Sequence, residues 1–270
     1  MTTLPFAATT PVSVGRIGLR AKNAPALAEF YRDVVGLEEM GRQDGAITLG
    51  AGGRPLLVLE AAPAARPDDP RSAGLFHTAF LLPERADLAR WVKRAIDRRI
   101  PVDGASDHLV SEALYLTDPE GNGIEIYADR PRDAWTWNGD SVAIATLPLD
   151  IRGLVGSLPE ADGGWQGAPP GSVVGHVHLR VGDPEEAEAF WNSEMGFDTV
   201  HRLAGSAVFL SSGGYHHHVG ANSWQSRGAG RRADDRSGLA WVELLSDDFT
   251  GGEAVSDPWG TMIRRAPRLA

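Results

Sequence analysis

The sequence predicts an α+β protein built from four copies of one βαβββ unit, of which the last copy is shortened. Three observations support this prediction. The chain aligns with itself, strand-like alternation changes to helical spacing at the same place in the copies, and an Asp-Pro turn recurs in two of them. With 270 residues, 42% of them hydrophobic, the chain is long enough to bury a large core.

The second and third copies define the unit most clearly. The second runs through GLFHTAFLLPERADLARWVKRAIDRRIPV (74–102) and EALYLTDPEGNGIEIYAD (112–129), and the third through VGHVHLRVGDPEEAEAFWNSEMGF (174–197) and SAVFLSSGGYHHHVGAN (206–222). Each opens with an alternating strand, followed by a turn typical of a helix start, Pro83-Glu84 or Asp183-Pro184. Apolar residues at i, i+3 and i+4 then predict a helix, and Gly-containing turns separate the later strands.

The first and fourth copies are recognised by comparison with these two. The first holds VGRIGLRAKNAPALAEFYRDVVGLEEM (14–40) and AITLGAGGRPLLVLEA (46–61), and the fourth holds SGLAWVELLSDD (237–248) and AVSDPWGTMIRRA (254–266). The turns that begin at Asp118-Pro and Asp257-Pro align the fourth copy with the second. Where the other copies have a helix, the fourth has only SDDFTGGEA, which is too short and too rich in glycine to form one.

A long connector separates the second copy from the third. It contains RPRDAWTWNGD and GSLPEADGGWQGAPPG, and its Trp, Gly and Pro residues favour an ordered wrap or linker over another domain. We therefore expect an N-terminal domain over 10–129 with modules 1 and 2, a linker over 130–171, and a C-terminal domain over 172–270 with modules 3 and 4.

Composition narrows the classes of function. A formal charge of −10 argues against nucleic acid and against an anionic membrane surface as partners. No run of 18 apolar residues and no signal-like N-terminus occurs, so we expect a cytoplasmic protein. The chain has no cysteine, which leaves histidine and carboxylate side chains as the metal ligands.

The repeat pattern resembles the vicinal oxygen chelate superfamily, which includes glyoxalase I, bleomycin-resistance proteins and extradiol ring-cleaving dioxygenases. The stretches GLFHTAFLLPERADLA, SDHLVSEALYLTDPEGNGIEIYADRPRD and GGYHHHVGANSW are most similar to its four-module, catechol 2,3-dioxygenase-like members. The resemblance implies that two modules curl into a half-open β-barrel cup around one metal, so that four modules form two cups. It also implies that each module contributes one residue from its first strand and one from its last.

The repeat alignment identifies these positions in each copy. In the order of the copies, the first-strand positions are Arg16, His77, His176 and Trp241, and the last-strand positions are Val58, Glu125, His217 and Arg264. The alignment of His217 with Glu125, and of Phe209 with Tyr115, assumes a turn two residues shorter in the third copy, which keeps strand parity. All candidate ligands thus lie in copies two and three, which favours pairing of module 2 with module 3 and of module 1 with module 4.

Two histidines and one carboxylate are the ligand set of non-haem Fe(II) oxygenases. We therefore expect His77, His176 and Glu125 to bind Fe(II), with Mn, Zn or Ni as other candidates. Neutral imidazoles and a single carboxylate leave adjacent positions open on the ion, where a catecholate and O₂ can both bind.

The resemblance also implies catalytic residues. Dioxygenases similar to this chain carry a His-His pair at the last strand, whose inward member assists O₂ and moves protons. This role falls to His217, while His216 and His218 are expected on the opposite face of the strand. Tyr115 is expected near the bound substrate, and His108 is a further catalytic candidate behind it.

The predicted function is an Fe(II)-dependent extradiol dioxygenase whose partners are a small aromatic diol and O₂. Two alternatives stay open. One is a glyoxalase-like isomerase or lyase with a divalent metal, in which His217 is a fourth ligand or the base. The other is a metal-free protein that binds an aromatic compound, although such a binder has no use for buried charges. The missing helix of the fourth copy would leave a surface on which a homodimer can form.

Overall fold

Every predicted module is present in the computed structural model, which describes residues 3–268. Module 1 comprises β1 (Ser13–Ala21), α1 (Ala24–Phe30), β2 (Glu38–Gln43), β3 (Ala46–Ala51) and β4 (Arg54–Ala61). Module 2 comprises β5 (Gly74–Leu81), α2 (Arg85–Arg98), β6 (Gly104–Asp107), β7 (Ser111–Thr117) and β8 (Gly123–Asp129). The connector holds β9 (Trp137–Asn138), β10 (Ser141–Val142), β11 (Leu147–Pro148) and α3 (Ile151–Gly156).

The second half of the chain repeats the pattern. Module 3 comprises β12 (Val173–Arg180), α4 (Pro184–Met195), β13 (Asp198–Leu203), β14 (Ala207–Ser211) and β15 (Val219–Asn222). Module 4 comprises β16 (Gly238–Ser246), β17 (Glu253–Ser256) and β18 (Met262–Pro267), with no helix between its first two strands, as predicted. A π-helical turn at Tyr31–Val35 continues α1, and short 3₁₀ turns lie at Phe6–Ala8 and Arg132–Ala134.

Local sequence signals set the ends of the helices. At the start of α4 the Asp183 carboxylate accepts a hydrogen bond from the backbone N–H of Glu185 at 2.9 Å, and Pro184 occupies the first turn. The helix ends at Gly196, whose φ of 67° is the left-handed conformation that favours glycine. The helix α2 begins with a reciprocal capping box between Glu84 and Asp87.

The two Asp-Pro turns confirm the alignment of the fourth module with the second. The Asp118 carboxylate accepts hydrogen bonds from the backbone N–H of Glu120 and of Asn122, both at 2.9 Å. The Asp257 carboxylate accepts from Trp259 and Thr261, the residues at the same spacing, at 3.0 and 2.7 Å. The two turns are therefore equivalent in structure as well as in sequence.

The strands form two large sheets, and their order pairs the modules as the candidate ligands predicted. Modules 2 and 3 share a nine-stranded sheet, ordered β11-β6-β7-β8-β5-β12-β15-β14-β13, in which β5 and β12 are antiparallel neighbours. Modules 4 and 1 share a seven-stranded sheet, ordered β17-β18-β16-β1-β4-β3-β2. In each module the first strand runs parallel to the last, for example β5 beside β8.

The main core lies on one face of the nine-stranded sheet, and the candidate ligands lie on the other. Side chains alternate along β12, so that Val177 and Leu179 enter the large apolar cluster shared with the helices and the other sheet. His176 and His178 point to the concave face of the same strand, where they line a cavity. The division of the chain into domains at 10–129 and 172–270 stays a prediction. Within residues 3–268, no helix is both long and apolar enough to cross a membrane.

Candidate functional site

Three strands at the centre of the nine-stranded sheet bring His77, Glu125 and His176 together. His77 lies on β5, His176 on the neighbouring β12, and Glu125 on β8 at the other side of β5. One carboxylate oxygen of Glu125 lies 3.0 Å from Nε2 of His77 and 3.1 Å from Nε2 of His176. The two Nε2 atoms are 3.3 Å apart, and all three side chains are buried.

This triangle fits a small divalent cation. Nitrogen and oxygen ligands lie about 2.0–2.2 Å from such an ion, so adjacent ligands in an octahedral arrangement are roughly 3 Å apart. The observed separations of 3.0, 3.1 and 3.3 Å match that spacing. Without a cation, both imidazoles would donate to the same oxygen, and their nitrogens would then face each other with no hydrogen bond between them. A cation bound by all three atoms removes this conflict.

The charges of the group suit metal binding at neutral pH. Burial lowers the pKa of His176 from 6.5 to about 4, so its imidazole is neutral and offers a lone pair. Burial by itself would raise the pKa of Glu125, but attraction and hydrogen bonds from His176 and His77 outweigh it and hold the pKa well below 4.5. At pH 7 Glu125 therefore contributes a negative charge and His176 a neutral imidazole.

Tyr115 and His108 form a hydrogen-bonded pair beside the triangle. Tyr115 lies on β7 directly opposite Glu125, and its hydroxyl is 2.5 Å from Nε2 of His108. The other ring nitrogen of His108, Nδ1, donates to the backbone carbonyl of Ala145 at 2.6 Å. This bond assigns the proton to Nδ1, so that Nε2 accepts the hydrogen of Tyr115. Burial, and then the charge of Glu125, raise the pKa of Tyr115 well above 10, which keeps the phenol neutral.

His217 reaches the site, but not from the position that the sequence predicted. Gly220, and not His217, occupies the place equivalent to Glu125, because Gly220 pairs with Phe209 as Glu125 pairs with Tyr115. The segment between β14 and β15 has seven residues, 212–218, whereas the segment between β7 and β8 has five, 118–122. The turn is therefore longer rather than shorter. His217 lies in this turn and not on a strand, so strand alternation does not determine the direction of its side chain. Its ring lies 4.1 Å from that of His176 between centroids.

The neighbours of His217 in the triple histidine run also differ from the prediction. His218 points away, as expected, with Nε2 3.0 Å from the Ala7 carbonyl oxygen. His216 does not: its Nδ1 is 2.8 Å from Nδ1 of His217, and its Nε2 is 2.8 Å from the carboxylate of Asp129. The expectation that both lie on the opposite face is thus wrong for His216, because an irregular loop follows no two-residue alternation. Sequence reasoning gave no signal for Asp129.

All six predicted site residues line one cavity of about 610 Å³. Its walls are mainly apolar and aromatic, and they include Phe76, Phe209 and Trp224. His178 also lines it, with its ring over Gly220, where a Cβ would come within 2.8 Å of the imidazole. His201 donates to the Val142 carbonyl at 3.0 Å and forms part of the same wall.

The cup of modules 1 and 4 is filled by other side chains. Arg16 donates two hydrogen bonds to Glu243, and Trp241 donates to Glu60 at 2.6 Å. The guanidinium of Arg264 stacks on the Trp241 ring at 4.1 Å. Within residues 3–268, the triangle of module 2 and module 3 is the one group of three side chains with ligand atoms close enough to hold a metal ion, all within 4.8 Å.

Comparisons with known proteins show the family of this chain. The family model of the Glyoxalase/Bleomycin resistance protein/Dioxygenase superfamily matches residues 13–126. A catechol-2,3-dioxygenase of Bacillus subtilis (strain 168) is 43% identical over 237 residues, which cover 86% of this chain and 82% of that protein. A biphenyl-2,3-diol 1,2-dioxygenase 3 of Rhodococcus globerulus is 30% identical over 118 residues, which cover 41% of this chain and 60% of that protein.

Solved structures share the fold at lower identity. A candidate dioxygenase from Bacillus subtilis superposes with a TM-score of 0.60 at 13% identity, covering 96% of this chain and 85% of the other. Glyoxalase I from Zea mays superposes with a TM-score of 0.57 at 11% identity, covering 96% and 94%. At these identities the two structures establish the architecture alone.

Proposed function

Because the chain belongs to the Glyoxalase/Bleomycin resistance protein/Dioxygenase superfamily and is an oxidoreductase of its dioxygenase type, we propose that it opens the ring of a catechol-type aromatic beside the diol. The observation that carries the proposal is the buried triangle of His77, Glu125 and His176 in the wall of a cavity of about 610 Å³. A relative with 43% identity over most of the chain is a catechol-2,3-dioxygenase, which supports this choice of substrate class.

We infer that His77, Glu125 and His176 hold a divalent ion, and Fe(II) is the ion that we propose. Two neutral histidines and one carboxylate favour Fe(II) in oxygenases, whereas Mn, Zn or Ni also accept these donors. When bound, Fe(II) provides the path by which electrons pass from the catecholate to O₂. The rest of the chemistry falls to side chains that bind the diol and move its protons.

We infer that His217 takes a proton from the diol. Its side chain borders the cavity beside His176, and burial lowers the pKa of His217 well below 6.5. The imidazole is therefore neutral before the reaction and has a lone pair for a hydroxyl proton. The same group can return this proton later, when the ring opens.

We infer that Tyr115 orients the diol. Its own hydrogen points to Nε2 of His108, so its oxygen offers a lone pair to the second hydroxyl of the substrate. Since His108 is fixed by the Ala145 carbonyl, the phenol has one preferred direction. Phe76 and Phe209 line the same cavity, and their apolar rings lower the local dielectric, which strengthens these polar contacts.

Anaerobic reconstitution tests the proposal. The metal-free protein is loaded with Fe(II) under argon and mixed with a panel of substituted catechols, and O₂ is then admitted. We expect a yellow ring-opened product and consumption of one O₂ per catechol. His77→Ala should remove both signals, whereas Glu243→Gln, a matched buried carboxylate in the other cup, should keep them.

The same experiment separates the alternatives. Turnover of any substrate at full rate without O₂ would indicate the isomerase or lyase chemistry of glyoxalases. Tight binding of an aromatic compound by a His77→Ala protein that holds no metal, with no ring opening by the wild type, would indicate a binding protein. Either result contradicts the dioxygenase proposal.

A further inference from the structure

A hydrogen-bonded chain of three side chains leads from the end of β8 to the cavity. It begins at Asp129, the last residue of β8, and passes through His216 to His217. Both contacts are 2.8 Å long, which is the length of strong hydrogen bonds. Asp129 belongs to module 2 and the histidines belong to module 3, so the chain crosses between the two modules that form the cup.

The order of partners assigns the proton on each ring. A carboxylate only accepts hydrogen bonds, so Nε2 of His216 must carry a hydrogen that it donates to Asp129. In the neutral imidazole Nδ1 of His216 then has a lone pair, and the hydrogen in its contact with His217 must come from Nδ1 of His217. This leaves Nε2 of His217 as the lone-pair nitrogen. Within residues 3–268 no hydrogen bond engages that atom.

The surroundings of Asp129 keep the chain in this order. Tyr215 donates its hydroxyl hydrogen to the same carboxylate oxygen at 3.2 Å, and Tyr127 is 2.7 Å from Tyr215. Burial, followed by the charge of Asp129, raises the pKa of Tyr215 well above 10, so this phenol stays a donor. His216 is fully buried and stacks on Tyr215, with 4.0 Å between ring centroids. Neither ring can turn over without breaking these contacts.

We propose that Asp129 and His216 are positioning residues that hold His217 as its Nδ1–H tautomer, and thereby keep the Nε2 lone pair of His217 available to the substrate hydroxyl. The inference rests on the proposed function, because it concerns the base of that reaction. Asp129 thus acts on His217 through His216, by fixing which nitrogen of each ring carries the hydrogen.

Nitrogen NMR of the histidine rings tests the tautomer without any turnover. The full-length protein is labelled with ¹⁵N and observed both metal-free and loaded with diamagnetic Zn(II), and its eight histidines are assigned by substitution. We expect a pyrrole-type signal at Nδ1 and a pyridine-type signal at Nε2 of His217. In Asp129→Asn the amide N–H can donate to His216, so the His217 signals should move towards the opposite tautomer. A wild-type His217 with its hydrogen on Nε2 overturns the inference.

Kinetics of the Fe(II)-loaded enzyme provide the second test. Asp129→Asn and His216→Gln should each lower kcat at least tenfold, which is part of the roughly 10²–10⁴-fold that a general base contributes. KM for catechol should change by less than about threefold, because the diol is bound by other groups. The control is His218→Gln, which removes equally buried hydrogen bonds from the same loop but touches neither Asp129 nor His217. It should keep kcat within about twofold of wild type.

The outcomes distinguish the inference from the proposed function. If wild type opens catechol rings but Asp129→Asn and His216→Gln match His218→Gln in kcat, the positioning role is wrong and the dioxygenase stands. If wild type shows no oxygen-dependent activity while His217 has the expected tautomer, the function is wrong although the side-chain arrangement is correct. Circular dichroism and thermal melts show whether each variant is folded. If Asp129→Asn does not fold, His216→Gln tests the same positioning role.

Discussion

Glu125→Gln is the substitution that most sharply tests the metal site. It keeps the size of the side chain and an oxygen that can accept hydrogen bonds from His77 and His176, whose Nε2 atoms lie 3.0 and 3.1 Å from the carboxylate. We therefore expect the metal-free variant to fold, but with lower stability than wild type, because it loses the charge that His176 and His77 stabilise in the folded state. It loses the one negative charge among the three proposed ligands, which is the charge that a divalent cation requires at a buried position.

The size of the effect follows from mass action. Loss of groups that merely support a metal ligand costs about 10–100-fold in affinity, so we take 100-fold as the minimum for loss of the ligand charge. At a metal concentration 1,000 times the Kd, wild type gains about 4.1 kcal/mol of stability. The variant, then at about 10 times its Kd, gains only about 1.4 kcal/mol. For a chain of this size the difference of about 2.7 kcal/mol corresponds to a metal-induced Tm shift smaller by roughly 5–11 °C.

Thermal melts with and without metal measure this difference directly. They are run anaerobically with Fe(II), and then with Mn(II) and Zn(II), on wild type, Glu125→Gln and the control Glu243→Gln. The control also neutralises a buried carboxylate, but one that is paired with Arg16 in the other cup. An equal metal-induced shift in Glu125→Gln and wild type would refute the assignment of Glu125 as a ligand. A metal-induced shift that is reduced by the same amount in Glu243→Gln would also refute it.

Three further predictions concern the neighbours of the site. Gly175→Ala should lower the free energy of unfolding by about 1–3 kcal/mol, because a Cβ there would lie 1.9 Å from the Tyr127 hydroxyl. Chemical denaturation should show that Tyr127→Phe, added as a second substitution, restores part of the lost stability. Equal stability of Gly175→Ala and wild type would contradict this prediction. Tyr115→Phe should lower kcat/KM by about 10–100-fold. Adding His108→Gln should lower kcat/KM little further, since the two residues form one hydrogen-bonded pair. Additive losses of kcat/KM would show that the two residues act separately. Burial lowers the pKa of His218 from 6.5 to about 3. Between these two pH values the unfolded chain therefore binds a proton at His218 that the folded chain does not bind. The free energy of unfolding, which is highest above pH 6.5, falls as the pH is lowered towards 3. Between pH 7.5 and 5, His218 should lower the free energy of unfolding measured with urea by about 2 kcal/mol. If the dependence of this free energy on pH is the same in His218→Gln as in wild type, the prediction is wrong.

The module architecture could be predicted because it depends on periodic signals. Alternation, helical spacing and the shared Asp-Pro turns recur at module length, and each survives as a strand, a helix or a turn in the structure. The pairing of modules 2 and 3 followed from chemistry rather than from pattern. The candidate ligands cluster in those two copies. In the other two copies, Arg16, Trp241 and Arg264 fill the cup with an ion pair and a stacked ring.

The triangle of His77, Glu125 and His176 could be predicted from periodic signals, whereas the hydrogen-bonded chain from Asp129 through His216 to His217 could not. His77, Glu125 and His176 lie on regular strands, where register determines which face a side chain occupies. His217 lies in the irregular segment 212–218, in which Gly213 and Gly214 adopt φ values of 65° and 75°. No period relates residues across such a loop. The contact of His216 with Asp129, 87 positions earlier in the chain, could therefore be found only from coordinates.

Oxygen labelling of the product tests the central claim most directly. The Fe(II)-loaded wild type is given a substituted catechol under ¹⁸O₂, and the ring-opened product is examined by mass spectrometry beside that of Glu125→Gln at equal protein concentration. We predict that both atoms of one O₂ molecule appear in the wild-type product and that the variant forms little or none. A product without label, or equal amounts of labelled product from the two proteins, would contradict ring opening at a metal held by His77, Glu125 and His176.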